Sequence, residues 1–407
     1  MTSVSNTTKT LCLITLGALG ALCNAAFGAE PAGAAPQKKL LWGDTHLHTS
    51  YSFDAFLNGN HSADPEVAYR FAKGYPVIHP YNRTRVQIET PLDFLVVSDH
   101  AEFYGGIRDL YNDGVQKPDP NLLEQIAYWW TLRQLREAID TENGPAYFSD
   151  LLPVDQDPYE AAQNWVESNS DATPPGADIS AKNAWARMTK IAEEHNEPGV
   201  FTTLIGWEWS TVPGGANLHR VVISDADDVQ ARSFMPFGST DSPFPQDLWN
   251  WMDETKAKTG VDFLAIPHNS NISKGVMFDR RSLRGAEIDA DYATQRARLE
   301  PVVEITQIKG DSETHPDLSP NDPFADFENY PYYIQREWTD YVPQPGDYIR
   351  SALKTGLELE STVGVNPYQF GVIGSTDAHT ALPSAEEDNF HGKMATDSIP
   401  SRKDGGW

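Results

Sequence analysis

The residue types best suited to chemistry fall at a few marked positions: His46-Leu47-His48, Asp54, Asp99-His100, Glu208, His268 and Asp377-Ala378-His379. Side chains two apart in an extended chain share a face, so His46 and His48 can turn both imidazoles on one ion. Alone, a His-X-His pair is weak evidence. Repetition gives it weight, because Asp99-His100, Glu208, His268 and the Asp377/His379 pair each close a short apolar run in the same way. Converging imidazoles and carboxylates suit Zn²⁺, Mn²⁺ or Fe²⁺ at nitrogen and oxygen sites. A carboxylate such as Glu208 can bridge two ions, and a metal-bridging water is then the simplest nucleophile, since coordination lowers its pKa toward neutrality. The expected chemistry is hydrolysis with two or three divalent ions and no side-chain nucleophile.

Other groups have possible supporting roles. Lys274, Arg280 and Lys309 follow ligand-bearing runs and are candidates for binding anionic substrate oxygens, with a solvated surface charge as the alternative. Glu313 and His315 are candidates for protonating a leaving group, or ordinary loop residues. Asp44 and Asp99 sit beside ligand histidines, where carboxylates often orient a ring; Asp99 is also a candidate direct ligand. Asn269 either binds a substrate oxygen or caps a turn. His61, His79, His195 and His391 fit no such pattern and read as structural. Trp129, Trp130, Tyr332, Tyr333 and Trp338 either shape a pocket for a hydrophobic leaving group or pack in a core.

Seven short apolar runs, at 40–42, 94–97, 201–207, 221–224, 263–266, 302–308 and 370–373, position these residues. Continuous runs of that length suit strands buried on both faces, as in a parallel sheet or barrel whose active site lies at the strand ends. Helical patterns at 179–195 and 244–259 lie between runs, which argues βα units. An insertion at about 105–178 interrupts the series; residues 121–141 read as an amphipathic helix and 153–175 as loop. A second irregular stretch, 311–345, is crowded with Pro, Asp, Tyr and Trp.

The net charge of -27 repels phosphate polymers and anionic bilayers, which argues against nucleic acid as a partner. A small anionic substrate is still compatible with a site whose metal ions invert the local field. Lys9, the apolar run 11–22 and the small residues that follow have the layout of a secretory signal peptide over residues 1–34, and predict a periplasmic or secreted protein. The apolar run is too short for a bilayer span of ~20 residues, so no membrane anchor is expected. Cys12 and Cys23, the two cysteines, both lie there, leaving oxygen and imidazole donors for residues 35–407.

The motif series is similar to that of the polymerase and histidinol phosphatase (PHP) superfamily: His-X-His, then Ser52-Phe53-Asp54, Ser98-Asp99-His100, a mid-chain Glu, Pro267-His268-Asn269 and a final Asp-Ala-His. More closely, Trp-Gly-Asp-Thr-His-Leu-His, Gly-Trp-Glu-Trp and Gly-Ser-Thr-Asp-Ala-His resemble a bacterial PHP-like group labelled a domain of unknown function. The resemblance runs from about residue 40 to the end. It implies a distorted (β/α)7 barrel with long inserted loops and helices, and a trinuclear centre. In that centre His46, His48, Glu208 and Asp377 would hold one ion; Glu208, His268 and His219 a second; Asp54, His100 and His379 a third. Two features depart from the pattern. His219 begins its run instead of ending it, and Asp54 stands where many relatives have histidine. Members of the group usually continue further, so the resemblance also implies C-terminal truncation. The expected activity is hydrolysis of phosphoester or phosphonate ester bonds in small molecules. The alternatives are hydrolysis of carboxylic ester, amide or sulfate ester bonds, and metal-dependent binding without turnover.

Overall fold

Six of the seven apolar runs carry a strand and the first leads into one. The strands are β1 (Gly43–Asp44), β2 (Phe94–Val97), β3 (Thr202–Trp209), β4 (Arg220–Ser224), β5 (Phe263–Pro267), β6 (Val302–Gln307) and β7 (Gly371–Gly374). The computed structural model describes residues 38–112, 121–168, 177–399 and 401. The expected signal peptide, residues 1–34, lies outside them. The chain divides into units Met1–Leu40 and Leu41–Trp407, and everything below lies in the second. No helix among the described residues is long and apolar enough to cross a membrane.

The architecture is mixed α/β, with eleven α-helices among the described residues. A curled, five-stranded half-barrel sheet has the order β1-β2-β3-β4-β5. A second sheet pairs β7 with β6 and β6 with the short strand Gly310–Asp311. Contrary to a parallel arrangement throughout, β4 is antiparallel to both β3 and β5. Its connection to β3 spans only residues 210–219, and a parallel crossover needs about a dozen residues or more.

Alternation assigns the two faces of the strands. Ile205, Trp207 and Trp209 of β3 join one apolar cluster with Trp185 and Met188 of helix Ala177–His195 and Trp249 and Met252 of helix Pro245–Thr259. The latter helix starts on a proline and stops at Gly260, whose φ of 78° suits a left-handed cap. The opposite face carries Leu204 and Glu208. Leu204 packs with Val96, Val221, Ile266, Val302 and Ile373, so one cluster gathers side chains from β2 through β7. Gly206 must be glycine there: a Cβ would lie 2.6 Å from the Val222 carbonyl oxygen and 2.7 Å from Val96.

The insertion between β2 and β3 folds as helices Gly106–Asn112, Leu122–Asp140, Gly144–Leu151 and Pro158–Ser168. The last corrects the loop expected over 153–175. Pro158 sits at the first helical position and Asp157 accepts the backbone N–H groups of Tyr159 and Glu160, which together start a helix in a Pro- and Asp-rich stretch. The stretch 312–344 carries neither helix nor strand, as its composition predicts.

Candidate metal centre

The loops at one end of the strand set bring the ligand-type residues together. The loop after β1 and the loop after β7 are stitched by a parallel bridge between Leu47 and Ala378, with His48 N donating to Ala378 O and Asp377 N to His46 O. This sets His46 and His48 beside Asp377 and His379. Glu208 comes from the penultimate position of β3, and His268 directly follows β5. His219 precedes β4, and because that strand runs the other way its beginning lies at the same end as the finish of β3 and β5. The one candidate that opened its run is thereby explained.

His46 Nε2, His48 Nε2, Glu208 Oε2 and Asp377 Oδ1 converge. His46 Nε2 lies 3.2 Å from His48 Nε2, 3.5 Å from Glu208 Oε2 and 3.3 Å from Asp377 Oδ1. His48 Nε2 lies 3.0 Å from Glu208 Oε2 and 3.2 Å from Asp377 Oδ1. Donors ~2.0–2.1 Å from a tetrahedral Zn²⁺ lie about 3.3–3.4 Å apart, and the mutually close set His46, His48 and Glu208 has nearly this spacing, with Asp377 Oδ1 beside both imidazoles. Both oxygens, Glu208 Oε2 and Asp377 Oδ1, are buried without a hydrogen-bond donor. An unsatisfied buried carboxylate oxygen is costly, and a cation is the partner this arrangement fits.

Glu208 also faces a second group. Its Oε1 lies 2.5 Å from His219 Nδ1 and 2.9 Å from His268 Nε2. A third group forms around Asp54 in helix Phe53–Leu57, whose Oδ2 lies 2.7 Å from His379 Nε2 and 3.3 Å from His100 Nε2. His48 borders it. These buried His/Asp/Glu groups can hold metal ions.

The electrostatics agree with a cation site. Burial opposes ionisation of Glu208, Asp54 and Asp377. The nearby histidines outweigh it for Glu208 and Asp54, and Lys309 and Lys393 outweigh it for Asp377, so all three lie well below the usual carboxylate range. Burial likewise disfavours protonated His46, but Asp377 and Glu304 raise its pKa to about 10; Glu208 and Asp54 raise His100 to about 9 against the same opposition. Burial depresses His219 to about 4 and His268 and His379 to about 3. The protons on His46 and His100 thus provide the positive charge that a divalent ion would bring.

A further layer of residues aims the donors. Ser52 Oγ donates to Asp99 Oδ1 at 2.8 Å and sits 2.8 Å from His48 Nδ1, leaving Nε2 to the centre. Thr49 donates its N–H and hydroxyl to Asp99 as well. Asp99 therefore stands behind His48, aiming it through Ser52, and not among the donors that face the centre; burial raises its pKa. Asp44, by contrast, orients no ring. It accepts His46 N and the Thr376 N–H and hydroxyl, fastening the β1 loop to the β7 loop. Asp377 Oδ2 is held by Lys309, by Lys393 at 2.6 Å and by Gln307 at 2.7 Å, which turns Oδ1 toward the histidines. Asp377 and Asn269 adopt φ of 50° and 49°, left-handed backbone that Asp and Asn tolerate better than most residues. Asn269 Oδ1 accepts from Gln307 Nε2 at 2.6 Å.

Of the cationic candidates only Lys309 reaches the centre. Lys274 is spent on Asp155, Gly214 O and Gln335, bridging loops away from the metal groups, and Arg280 pairs with Glu358 at the surface. The candidate acids also fall elsewhere: Glu313 pairs with Arg350, and His315 packs against Tyr341 and Tyr348. His61 and His195 are structural, contacting Phe56 and Glu66.

Glu304, Lys393, Ser52 and Gln307 were missed. Glu304 Oε2 lies 3.0 Å from His46 Nδ1. A carboxylate inside the apolar run 302–308 was its available signal; Lys393, in an irregular tail, had none.

Above the centre opens a cavity of about 1040 Å³, whose lining includes Asp54, His100, Glu208, His219, Asp377 and His379. Tyr332, Tyr333 and Trp338 line it as well, whereas Trp129 and Trp130 lie outside it, half-exposed.

A family model described as "Protein of unknown function (DUF3604)" matches residues 35–407. No curated protein and no solved structure matches the chain.

Proposed function

The chain belongs to this DUF3604 family of unknown function, and from the centre it carries we propose that it is a metal-dependent hydrolase of phosphoester or phosphonate ester bonds in small anionic molecules. The proposal includes a distorted seven-stranded barrel of the PHP type, for which the shared apolar cluster of β2 through β7 and the Leu47–Ala378 bridge speak. It also includes export, for which the layout of residues 1–34 speaks. The carrying observation is the buried set of His46, His48, Glu208 and Asp377, with two donorless carboxylate oxygens, of which Glu208 and Asp377 line a large cavity.

Two or three divalent ions, Zn²⁺, Mn²⁺ or Fe²⁺, would supply a water-derived nucleophile at neutral pH and neutralise phosphoryl oxygens. His46, His48, Glu208 and Asp377 would hold one; Glu208, His219 and His268 a second; Asp54, His100 and His379 a third. The protein's own part is preorganisation. Glu304 and Ser52 fix the rings of His46 and His48, and Lys309 and Lys393 fix Asp377. Lys309 also carries a positive charge to the cavity lining, where a substrate oxyanion would sit. Tyr330 lines the same space, and burial raises its pKa, so its hydroxyl keeps a proton for a departing oxygen.

The test is release of nitrophenol from phosphate, phosphonate, sulfate and carboxylate esters by the purified protein with each metal. Turnover of phosphorus esters that chelation abolishes is expected. Release from carboxylate or sulfate esters alone would move the reading to a different bond, and no release from any ester would leave metal-dependent binding.

A further inference from the structure

The cavity above the centre is larger and more apolar than a phosphate group requires. Its volume of about 1040 Å³ reaches the top of the ~300–1,000 Å³ range of small-molecule sites. One wall comes from the β1 loop and the insertion, through Phe53, Ile107, Leu110, Leu135 and Phe148. These side chains belong to an apolar cluster separate from the main core. The segment 312–344 supplies Tyr332 and Trp338. The apolar wall begins at the centre itself, because the Phe53 ring lies 5.1 Å from that of His100 and 5.9 Å from that of Phe148.

Most charges in the lining have partners. Lys309 and Lys393 rest against Asp377, and Glu102 Oε1 accepts the backbone N–H groups of Ser210 and Ser239, leaving its buried Oε2 without a donor. Asp397 accepts Met394 N, while Arg336 and Glu337 are exposed. A polyol or a second anionic group would find few partners on the Phe53–Leu135 wall, and burying polar groups there would be costly. An alkyl or aryl group would gain by leaving water.

We propose that the substrate is amphiphilic: an anionic phosphorus ester whose apolar part, an alkyl chain of about eight carbons or a fused aromatic of similar size, lies in this chamber. The proposal rests on the hydrolase reading and adds its substrate class. The insertion and the segment 312–344 thereby act as the specificity element, while the strand ends hold the reacting group.

The experiment titrates methyl-, butyl-, octyl- and dodecylphosphonate, whose C–P bond is not a hydrolysable ester, into the metal-loaded protein by calorimetry. Affinity should rise about two- to fourfold per methylene, giving about 100-fold or more between methyl and octyl, with a negative heat-capacity change. Leu135→Asp should flatten that dependence. Since it alters a buried position, Trp338→Ala on the exposed rim provides a second variant that should reduce the slope without threatening the fold. Affinity independent of chain length, with nitrophenyl phosphate still hydrolysed, would overturn the chamber proposal and spare the hydrolase reading. If no phosphorus ester were turned over and no phosphonate of any length bound, the hydrolase reading would fall and this proposal with it.

Discussion

Glu304 Oε2 lies 3.0 Å from His46 Nδ1, and neither side chain is more than 1 % exposed. With Nδ1 committed to the carboxylate, Nε2 is the atom left to face Glu208 and Asp377. Such carboxylate–imidazole pairs typically contribute 10- to 100-fold to metal affinity. Glu304→Gln keeps the size and an acceptor but removes the charge, so affinity for the tightest-bound ion is expected to fall about 10-fold, and in Glu304→Ala about 100-fold. Competition with a chromophoric chelator measures this, and unchanged affinity in both variants would remove Glu304 from the account.

Metal binding should release protons. His46, at about 10, and His100, at about 9, are imidazolium at pH 7.5 in metal-free protein, and only neutral imidazole ligates. His219, His268 and His379, at about 4, 3 and 3, are already neutral. Loading the full centre at pH 7.5 is therefore expected to release about two protons from these five histidines, with affinity rising with pH and levelling above about 10. Calorimetry in buffers of different ionisation enthalpy counts the protons; a count of zero contradicts the assignment.

The same depressed histidines make the metal-free fold acid-sensitive. In the unfolded chain each takes a proton near pH 6.5, whereas in the fold each waits until about pH 3–4. Their contribution is complete above 6.5 and lost as the pH falls toward 4. Burial holds Asp347 at about 7 and Asp44 at about 6, and their protonation acts in the opposite sense over the same interval, so the rings are best read one by one. In chelator-treated protein, histidine NMR titration is expected to find His219, His268 and His379 neutral at about pH 5; midpoints near 6.5 would show that these rings are not buried neutral.

Buried Glu300 pairs with Arg220 Nε and Arg296 Nε, both at 3.0 Å, and accepts from Trp249 Nε1. Arg220 follows His219 directly, so this cluster also fixes the entry to β4. Glu300→Gln leaves two buried guanidinium groups facing a neutral amide and should destabilise the protein by about 3–5 kcal/mol in urea unfolding. An effect below about 1 kcal/mol would mark the cluster as solvent-relaxed.

Lys309→Met keeps the stem of the side chain but removes the charge beside Asp377. Lys393 and Gln307 still hold Asp377 Oδ2, so metal content should persist while kcat/KM on an anionic ester falls about 10²-fold. Equal activity would assign Lys309 a purely structural role.

The clustering of the candidate ligands was largely legible because strand ends at one rim repeat the same residue types, and His46, His48, Glu208, His268 and Asp377 all close runs. Strand direction was not legible. A run of β-branched residues reads the same in either sense, and only the antiparallel direction of β4 brings His219, at the start of its run, to the same rim. Asp99 misled for a related reason: adjacency to His100 says nothing about which face a carboxylate meets, and alternation sends it behind His48. Nearness in sequence to ligand-bearing runs does not bring Lys274, Glu313 or His315 to the centre. Their loops carry them to Asp155, Arg350 and Tyr348 instead. Lys393 reaches Asp377 from sixteen residues away through an irregular tail, a contact only the tertiary fold creates.

The central claim is a multinuclear metal centre, and elemental analysis of the reconstituted protein tests it most directly. Two to three divalent ions per chain are expected in the wild type, falling by at least one in Glu208→Ala, whose two oxygens face two of the groups. Fewer than two ions per chain in the wild type, or an unchanged count in Glu208→Ala, would contradict the account.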